Sequence, residues 1–213
     1  MKLINQWICR YLIMFLCACL LIFKTTPVLA QATSIEPSIP DATNLFNPIL
    51  VQLQMTGIPL RLPTYIPSSG QRSKDSTSEA EARRLKAYAV IDRATPNGYA
   101  VILGYSPTCS GGNACRLGTV SATRKTDGTP TIEEAYGFMK DPAFKGLRSK
   151  QLMAKVQLTN QIEGYFIPWI CGANCNDAKV VWDEKGVRYV VGIKVGDRDS
   201  LVAMANSAIQ PRT

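Results

Sequence analysis

The stretch VQLTNQIEGYFIPWICGANCNDAKVVWDEKGVRYVVGIKVGDRDSLVAMANSAI, residues 156–209, decides the fold of this chain. Within it, three segments rich in β-branched and aromatic residues (162–170, 179–183 and 187–195) predict strands. The last two are separated by Glu184-Lys185-Gly186, which predicts a turn. Acidic residues that can cap a helix follow, and the apolar residues beyond them recur at helical spacing. The stretch therefore predicts hairpins closed by a C-terminal helix.

The residues upstream of this stretch supply the other half of the sheet. Asn97-Gly98 between two β-rich segments predicts a hairpin turn. The prolines of IPLRLPTYIP, residues 58–67, predict an extended segment whose strand lies at a sheet edge or is severely shortened. A short helix is expected over 44–55 and a polar surface loop over 68–82. The remaining strands are expected over 85–92, 99–105, 116–125 and 151–158. The predicted fold class is α+β, an antiparallel sheet of hairpins with a short N-terminal helix and a C-terminal helix packed on it.

The first thirty residues have the parts of a secretory signal peptide. Two basic residues precede an apolar run of thirteen, residues 11–23, and small residues stand at the end of the segment. Thirteen apolar residues are short for a membrane span, which takes about 20. We therefore expect a signal peptide over 1–30, cleaved between Ala30 and Gln31, and an exported protein, periplasmic or extracellular. Anchoring by an uncleaved N-terminal segment is the alternative.

Beyond the leader we expect a flexible spacer over 31–43 and a single α+β domain over 44–213. Removing residues 1–30 takes three of the 24 basic residues and none of the 16 acidic ones, which leaves a net charge of +5. Because the basic residues are scattered and no aromatic-interleaved stripe occurs, we expect a solvated surface and no nucleic-acid partner. The charge permits weak association with an anionic envelope surface.

The cysteines of the predicted domain favour two disulfides. Three of the seven cysteines lie in the leader, and Cys109, Cys115, Cys171 and Cys175 remain. An even number of cysteines in an exported chain is typical of disulfide bonding. The spacing favours the local pairs, Cys109 with Cys115 and Cys171 with Cys175, and cross-pairing between the two loops is the alternative. Such short loops are expected to stiffen loop tips more than to hold the fold together.

The residue inventory excludes several catalytic classes. The chain has no histidine, which removes Ser-His-Asp triads, Cys-His pairs and histidine-ligated zinc. The cysteine spacings match neither a zinc ribbon nor the C-x-x-C redox motif, and no nucleophile elbow or phosphate-binding loop occurs. Glu133 and Glu134 follow Thr131 at the spacing of a helix capping box, which favours a structural role. We therefore assign no catalytic residue, no metal ligand and no cofactor.

Four residues mark the segment VVWDEKGVRYVVGIKVGDRDSLVAMANSAI: Trp182 in one strand, Gly186 in the turn, Tyr189 in the next strand and Ser207 in the helix. This pattern resembles an uncharacterised exported domain that forms the extracytoplasmic part of some bacterial anti-sigma factors and occurs in stand-alone secreted proteins of cyanobacteria. IPLRLPTYIP resembles the opening motif of that domain, and EGYF resembles its strand ahead of the tryptophan. The similarity covers roughly residues 58–209, with gaps at 68–84 and 126–150.

The resemblance implies structural roles for these four residues and no catalytic activity, so no active-site residue is carried over. No cytoplasmic domain precedes the apolar segment, and signalling of the anti-sigma kind is not expected. We expect an exported, non-catalytic binding or structural module of the cell envelope whose partner is unknown. The alternatives are a membrane-anchored extracytoplasmic sensor or regulator and a hydrolase that works without histidine.

Overall fold

The computed structural model describes residue 42 and the ranges 44–68 and 86–210. The predicted signal peptide, its cleavage site, and most of the predicted spacer and polar loop lie outside these residues. A compact unit spans residues 36–213. Ala42 is only 3% exposed and belongs to the main hydrophobic core. The core therefore reaches two residues before the predicted domain boundary at Asn44.

The fold is an antiparallel sheet of seven strands with helices, so the predicted α+β class is confirmed. The strands are β1 Tyr88–Thr95, β2 Gly98–Gly104, β3 Arg116–Arg124, β4 Ala154–Gln157, β5 Glu163–Ile167, β6 Asp177–Glu184 and β7 Val187–Lys194. Their order across the sheet is β1-β2-β3-β7-β6-β5-β4. The last strand in the chain is thus the central one, and its pairing with β3 joins the hairpin run β1 to β3 to the run β4 to β6.

Among residues 42, 44–68 and 86–210, three α-helices accompany the sheet: α1 Leu50–Gln54, α2 Ile132–Ala135 and α3 Arg198–Ile209. A short 3-10 turn with a proline in its first positions precedes α1, so the N-terminal helical segment is shorter than predicted. The predicted capping box forms at α2, where the side chain of Thr131 accepts from the N–H of Glu134 and the side chain of Glu134 accepts from the N–H of Thr131. The caps predicted for the C-terminal helix also form, because Asp197 accepts from two N–H groups in the first turn of α3.

The two faces of the sheet are covered by different parts of the chain. On one face, α3 and the N-terminal segment pack over the side chains that alternate inward along the strands. Leu201, Met204, Phe46 and Leu53 are fully buried there. On the opposite face, α2 and the turn after it cover a smaller cluster formed by Ile132, Met139, Tyr165, Ile167 and Val181.

The first hairpin differs from the prediction by one residue. Thr95 pairs with Gly98, so Pro96 and Asn97 form the turn and Gly98 is already in β2. A Cβ atom on Gly98 would lie 2.4 Å from the carbonyl oxygen of Ala122 in the neighbouring strand. The glycine is therefore required by the close approach of β2 and β3 and not by the turn conformation.

Two strands of the second half are shorter than predicted. β5 ends at Ile167 instead of residue 170, because Pro168 has no N–H to continue the ladder. β4 begins only at Ala154 instead of residue 151. The side-chain carbonyl of Gln151 instead accepts from the N–H of Arg198 at the start of α3, at 3.1 Å. The backbone N–H of Gln151 donates to the hydroxyl of Ser149 at 3.1 Å, so it is used outside the sheet.

Disulfides close two loops at the same end of the sheet. Cys109 is joined to Cys115 in the β2–β3 connection, and Cys171 is joined to Cys175 in the β5–β6 connection. This is the local pairing that the spacing favours. Both bonds are consistent with an oxidising environment.

Candidate functional site

A groove of about 460 Å³ lies beside α1, the extended segment that follows it and the end of α3. Its volume falls within the range of small-molecule sites, about 300–1,000 Å³. Five of the lining side chains are apolar and three can form hydrogen bonds. The lining residues are Leu50, Gln54, Ile58, Leu60, Arg61, Leu62, Ala208 and Gln210.

One wall of the groove is the proline-fenced segment, which forms no strand over residues 58–66. Of the two predicted alternatives, the structure agrees with the severely shortened strand and not with a strand at the sheet edge. Side chains, and not a neighbouring strand, bind backbone groups of this segment. The N–H of Arg61 donates to the hydroxyl of Tyr99 at 3.1 Å. The hydroxyl of Tyr189 donates to the carbonyl oxygen of Pro59 at 3.0 Å. The prolines keep the segment extended, and these bonds fix it across the face of the sheet.

Four residues carry the resemblance described above, and three of them lie behind or beside this wall. The rings of Trp182 and Tyr189 stack across β6 and β7 with centroids 5.4 Å apart, which places the Tyr189 hydroxyl under Pro59. Ser207 of α3 accepts from the N–H of Tyr65 at 3.1 Å. Gly186 lies apart from the groove, in the β6–β7 turn, where its φ of 76° favours glycine. The segment that the sequence singles out therefore supports the groove without lining it.

An ion pair beside the groove neutralises its charged lining residue. The guanidinium of Arg61 binds the carboxylate of Glu184 through two hydrogen bonds, Nε to Oε2 at 2.9 Å and Nη2 to Oε1 at 2.5 Å. The two side chains are only 23% and 14% exposed. The hydrogen bonds with Glu184 raise the pKa of Arg61 although burial acts in the opposite direction. The groove is therefore bordered by paired charges and carries no net charge there.

The tyrosines that hold the wall stay protonated over the physiological range. Burial raises the pKa of Tyr99 strongly, and burial also raises the pKa of Tyr189. Both hydroxyls can therefore serve as permanent neutral hydrogen-bonding groups for the backbone of the proline-fenced segment.

A polar cluster lies on the opposite face of the sheet, under the residues that follow α2. Asp177 accepts a hydrogen bond from the hydroxyl of Thr119 at 3.1 Å and lies 3.2 Å from Nη2 of Arg116. The ammonium of Lys179 lies over the ring of Tyr136, 5.8 Å from its centroid. Burial lowers the pKa of Lys179, although Asp177 acts against it. Because Tyr136 covers the ammonium, we interpret the cluster as a polar layer inside the fold and not as an open site.

The groove offers a ligand apolar side chains and a few polar ones. Its described lining residues contain no thiol, hydroxyl or carboxylate. In the part of the chain that the structure describes, no group of three or more His, Cys, Asp or Glu side chains is placed to hold a metal ion. Apolar contacts and hydrogen bonds from carboxamides and a guanidinium are what the groove can offer a ligand.

The sequence did not reveal the groove. The pairing of Arg61 with Glu184 spans 123 positions, and the sequence interpretation placed Glu184 only in a turn. The prolines that fence residues 58–67 were the one local signal of an unusual segment near it.

Comparison with known proteins adds no relatives. No protein-family model matches the chain, and no curated protein or solved structure shows significant similarity to it. The resemblance to the exported anti-sigma-associated domain therefore stays a prediction. Over residues 42, 44–68 and 86–210, no helix combines the length and the apolar character that crossing a membrane requires.

Proposed function

We propose that the protein is an exported, non-catalytic binding module of the cell envelope that holds an apolar ligand in the groove. The observation that carries this proposal is the lining, in which five apolar side chains meet three hydrogen-bonding ones around about 460 Å³. An apolar pocket with a few convergent polar groups is the usual form of a small-molecule site.

The lining also restricts the class of ligand. Because Glu184 already pairs with Arg61, a second carboxylate would have to compete for the guanidinium. The carboxamides of Gln54 and Gln210 belong to exposed residues of the lining and can bind one polar group through hydrogen bonds. The ligand is therefore an uncharged or weakly polar molecule with an apolar body.

The test is a fluorescence titration of the chain beginning at Gln31 with N-phenyl-1-naphthylamine, an uncharged apolar probe. Residues 36–213 form a compact unit, so this chain retains the whole domain. Leu50→Gln removes an apolar wall, and Val51→Gln is the matched control because Val51 is 72% exposed and outside the lining. We expect Leu50→Gln to weaken probe binding roughly tenfold and Val51→Gln to leave it unchanged. No binding, or equal loss in both variants, would overturn the proposal.

Export is the second part of the proposal and has its own test. The disulfides support it because such bonds persist in oxidising compartments. N-terminal sequencing of the protein isolated from its host is expected to begin at Gln31. A chain that retains the leader would favour the anchored sensor instead.

A further inference from the structure

We propose that residues 137–152, called here the 137–152 strip, form a docking surface for an anionic lipid membrane. The strip contains two short 3-10 turns, Gly137–Lys140 and Pro142–Phe144, and its Met139 packs in the cluster on the face of the sheet opposite α3. Its end at Gln151 reaches the start of α3. The strip is separate in sequence from the groove, and none of its residues lines it.

The strip exposes large apolar side chains. Phe138, Leu147 and Leu152 are 50%, 46% and 61% exposed. The ring of Phe138 lies edge-on to that of Phe144 with centroids 5.8 Å apart, and the N–H of Leu147 donates to the carbonyl of Phe144 at 3.0 Å. Phe138 thus packs on Phe144, and Leu147 follows Phe144 after one backbone turn. Apolar side chains grouped in this way commonly mark an interaction surface.

Positive charge accompanies these apolar side chains. The strip contains four basic residues and one acidic residue, a net charge of +3. Lys140, Lys145 and Lys150 are exposed and form no ion pair within the described part of the chain. The single acid, Asp141, accepts from the N–H of Ala143 at 2.8 Å and so serves as a turn cap. Outside the strip, Glu133 has a pKa lowered mainly by its hydrogen bond with Tyr165 and to a smaller degree by Lys140. All three lysines remain exposed to an external anion.

The backbone of the strip is fixed to the domain from its other side. The guanidinium of Arg148 donates to the carbonyl of Met139, and Met139 is 2% exposed. The carbonyl of Leu147 accepts from the N–H of Cys171 at 2.7 Å, beside the second disulfide. The N–H of Ser149 donates to the carbonyl of Trp169 at 3.0 Å. The exposed side chains thus project from a backbone that is already ordered, so binding requires little further ordering of the main chain.

A lipid surface uses both features of the strip. Apolar side chains gain free energy by entering the boundary between headgroups and acyl chains, while neighbouring lysines meet the lipid phosphates. A soluble polyanion would meet the lysines and leave Phe138 and Leu147 in water. The juxtaposition of apolar and basic side chains therefore favours an anionic membrane over an anionic polymer.

The test is flotation of the chain beginning at Gln31 with vesicles of phosphatidylcholine, with and without a quarter of phosphatidylglycerol. We expect binding to the anionic vesicles that falls roughly tenfold in Phe138→Gln/Leu147→Gln and in Lys140→Gln/Lys145→Gln. The matched controls are Met55→Gln, at an 81% exposed apolar residue outside the strip, and Lys185→Asn, at an exposed lysine in a distant turn. Both controls are expected to bind like the unaltered protein.

Three results would overturn the proposal. The first is that the protein does not bind the anionic vesicles, and the second is that strip and control variants lose vesicle binding equally. The third is that the protein binds dextran sulfate as strongly as the vesicles and that Phe138→Gln/Leu147→Gln does not weaken this binding. The lysine variant changes only exposed residues, so it decides the outcome even if the apolar variant fails to fold. Titration with N-phenyl-1-naphthylamine is expected to be unchanged in the strip variants, which separates this proposal from the groove.

Discussion

The side-chain amide of Asn113 donates a hydrogen bond to Oδ1 of Asn174 at 2.5 Å and thereby joins the two disulfide-closed loops. The ammonium of Lys194 also donates to the main-chain carbonyl of Asn113 at 3.0 Å. The first loop is thus tied both to the second loop and to the end of the central strand. The disulfides are short in sequence, but this contact makes them parts of one stiff end of the sheet.

Asn174→Ala is expected to loosen the first loop without affecting the fold. The loss of one hydrogen bond of about 1 kcal/mol should speed hydrogen exchange roughly fivefold at the N–H groups of Cys115 and Arg116, which donate to Gly112. The N–H of Arg124, bonded to Asn97 at the opposite end of the sheet, is the internal control. Uniform acceleration at both ends would contradict this coupling.

The chain beginning at Gln31 is expected to show no thiol in denaturant before reduction and four thiols after it. Each loop closure should contribute about 2 kcal/mol to the free energy of unfolding. Thiol titration and urea unfolding of the oxidised and reduced protein measure both quantities. Four thiols before reduction would refute the disulfides.

Gly98→Ala is expected to destabilise the protein by about 2–3 kcal/mol, because its Cβ would lie 2.4 Å from the backbone oxygen of Ala122. Gly112→Ala is the matched control, since nothing lies within 4 Å of its added Cβ. Urea unfolding should separate the two variants clearly. Equal stabilities would show that β2 and β3 do not approach so closely.

Asp183 is expected to make stability sensitive to acid. Burial acts to raise the pKa of Asp183, but hydrogen bonds from Arg188 and Lys125 outweigh it and the pKa is lowered. The contribution of Asp183 to the free energy of unfolding is therefore complete above the pKa of an unfolded aspartate, about 4. It is lost as the pH falls through the lowered pKa of the folded state.

Asp183→Asn should accordingly lower the free energy of unfolding at neutral pH by about 1–2 kcal/mol and make its fall in acid shallower. Asp127→Asn is the control, since Asp127 is exposed and forms no ion pair among the described residues. Unfolding measured across acidic pH provides the comparison. Parallel curves for Asp183→Asn and the unaltered protein would contradict the assignment.

Lys179 is also expected to make the free energy of unfolding depend on pH, in the alkaline range. Burial lowers the pKa of Lys179 in the folded state. Between that lowered pKa and the ordinary lysine pKa of about 10.4, the unfolded state therefore binds more protons than the folded state. The free energy of unfolding accordingly rises with pH over this range. Lys179→Met should remove this rise and stabilise the protein at neutral pH by about 1 kcal/mol. Lys185→Asn, in an exposed turn, should do neither. A destabilised Lys179→Met would show that the ammonium is needed inside the fold.

The hairpins, the capping box and the C-terminal helix could be predicted because their signals are local: turn residues, caps and periodicity act over a few positions. The sequence left two alternatives open for residues 58–66, because prolines indicate extended backbone without saying whether a strand or side chains satisfy it. The groove could not be predicted, since Arg61 and Glu184 meet only after the sheet has formed. The strand position of Lys179 likewise gave no sign that Tyr136 would cover it.

The central position of β7 has a consequence for a chain that crosses a membrane from its N-terminus. Its hairpins β1 to β3 can close as soon as they emerge, but the edge of β3 stays unpaired until the last strand of the chain has followed. The sheet therefore cannot be completed before β7 has crossed. If the protein is exported as proposed, such a strand order delays the stable fold until β7 has reached the far side, where the cysteines can be oxidised.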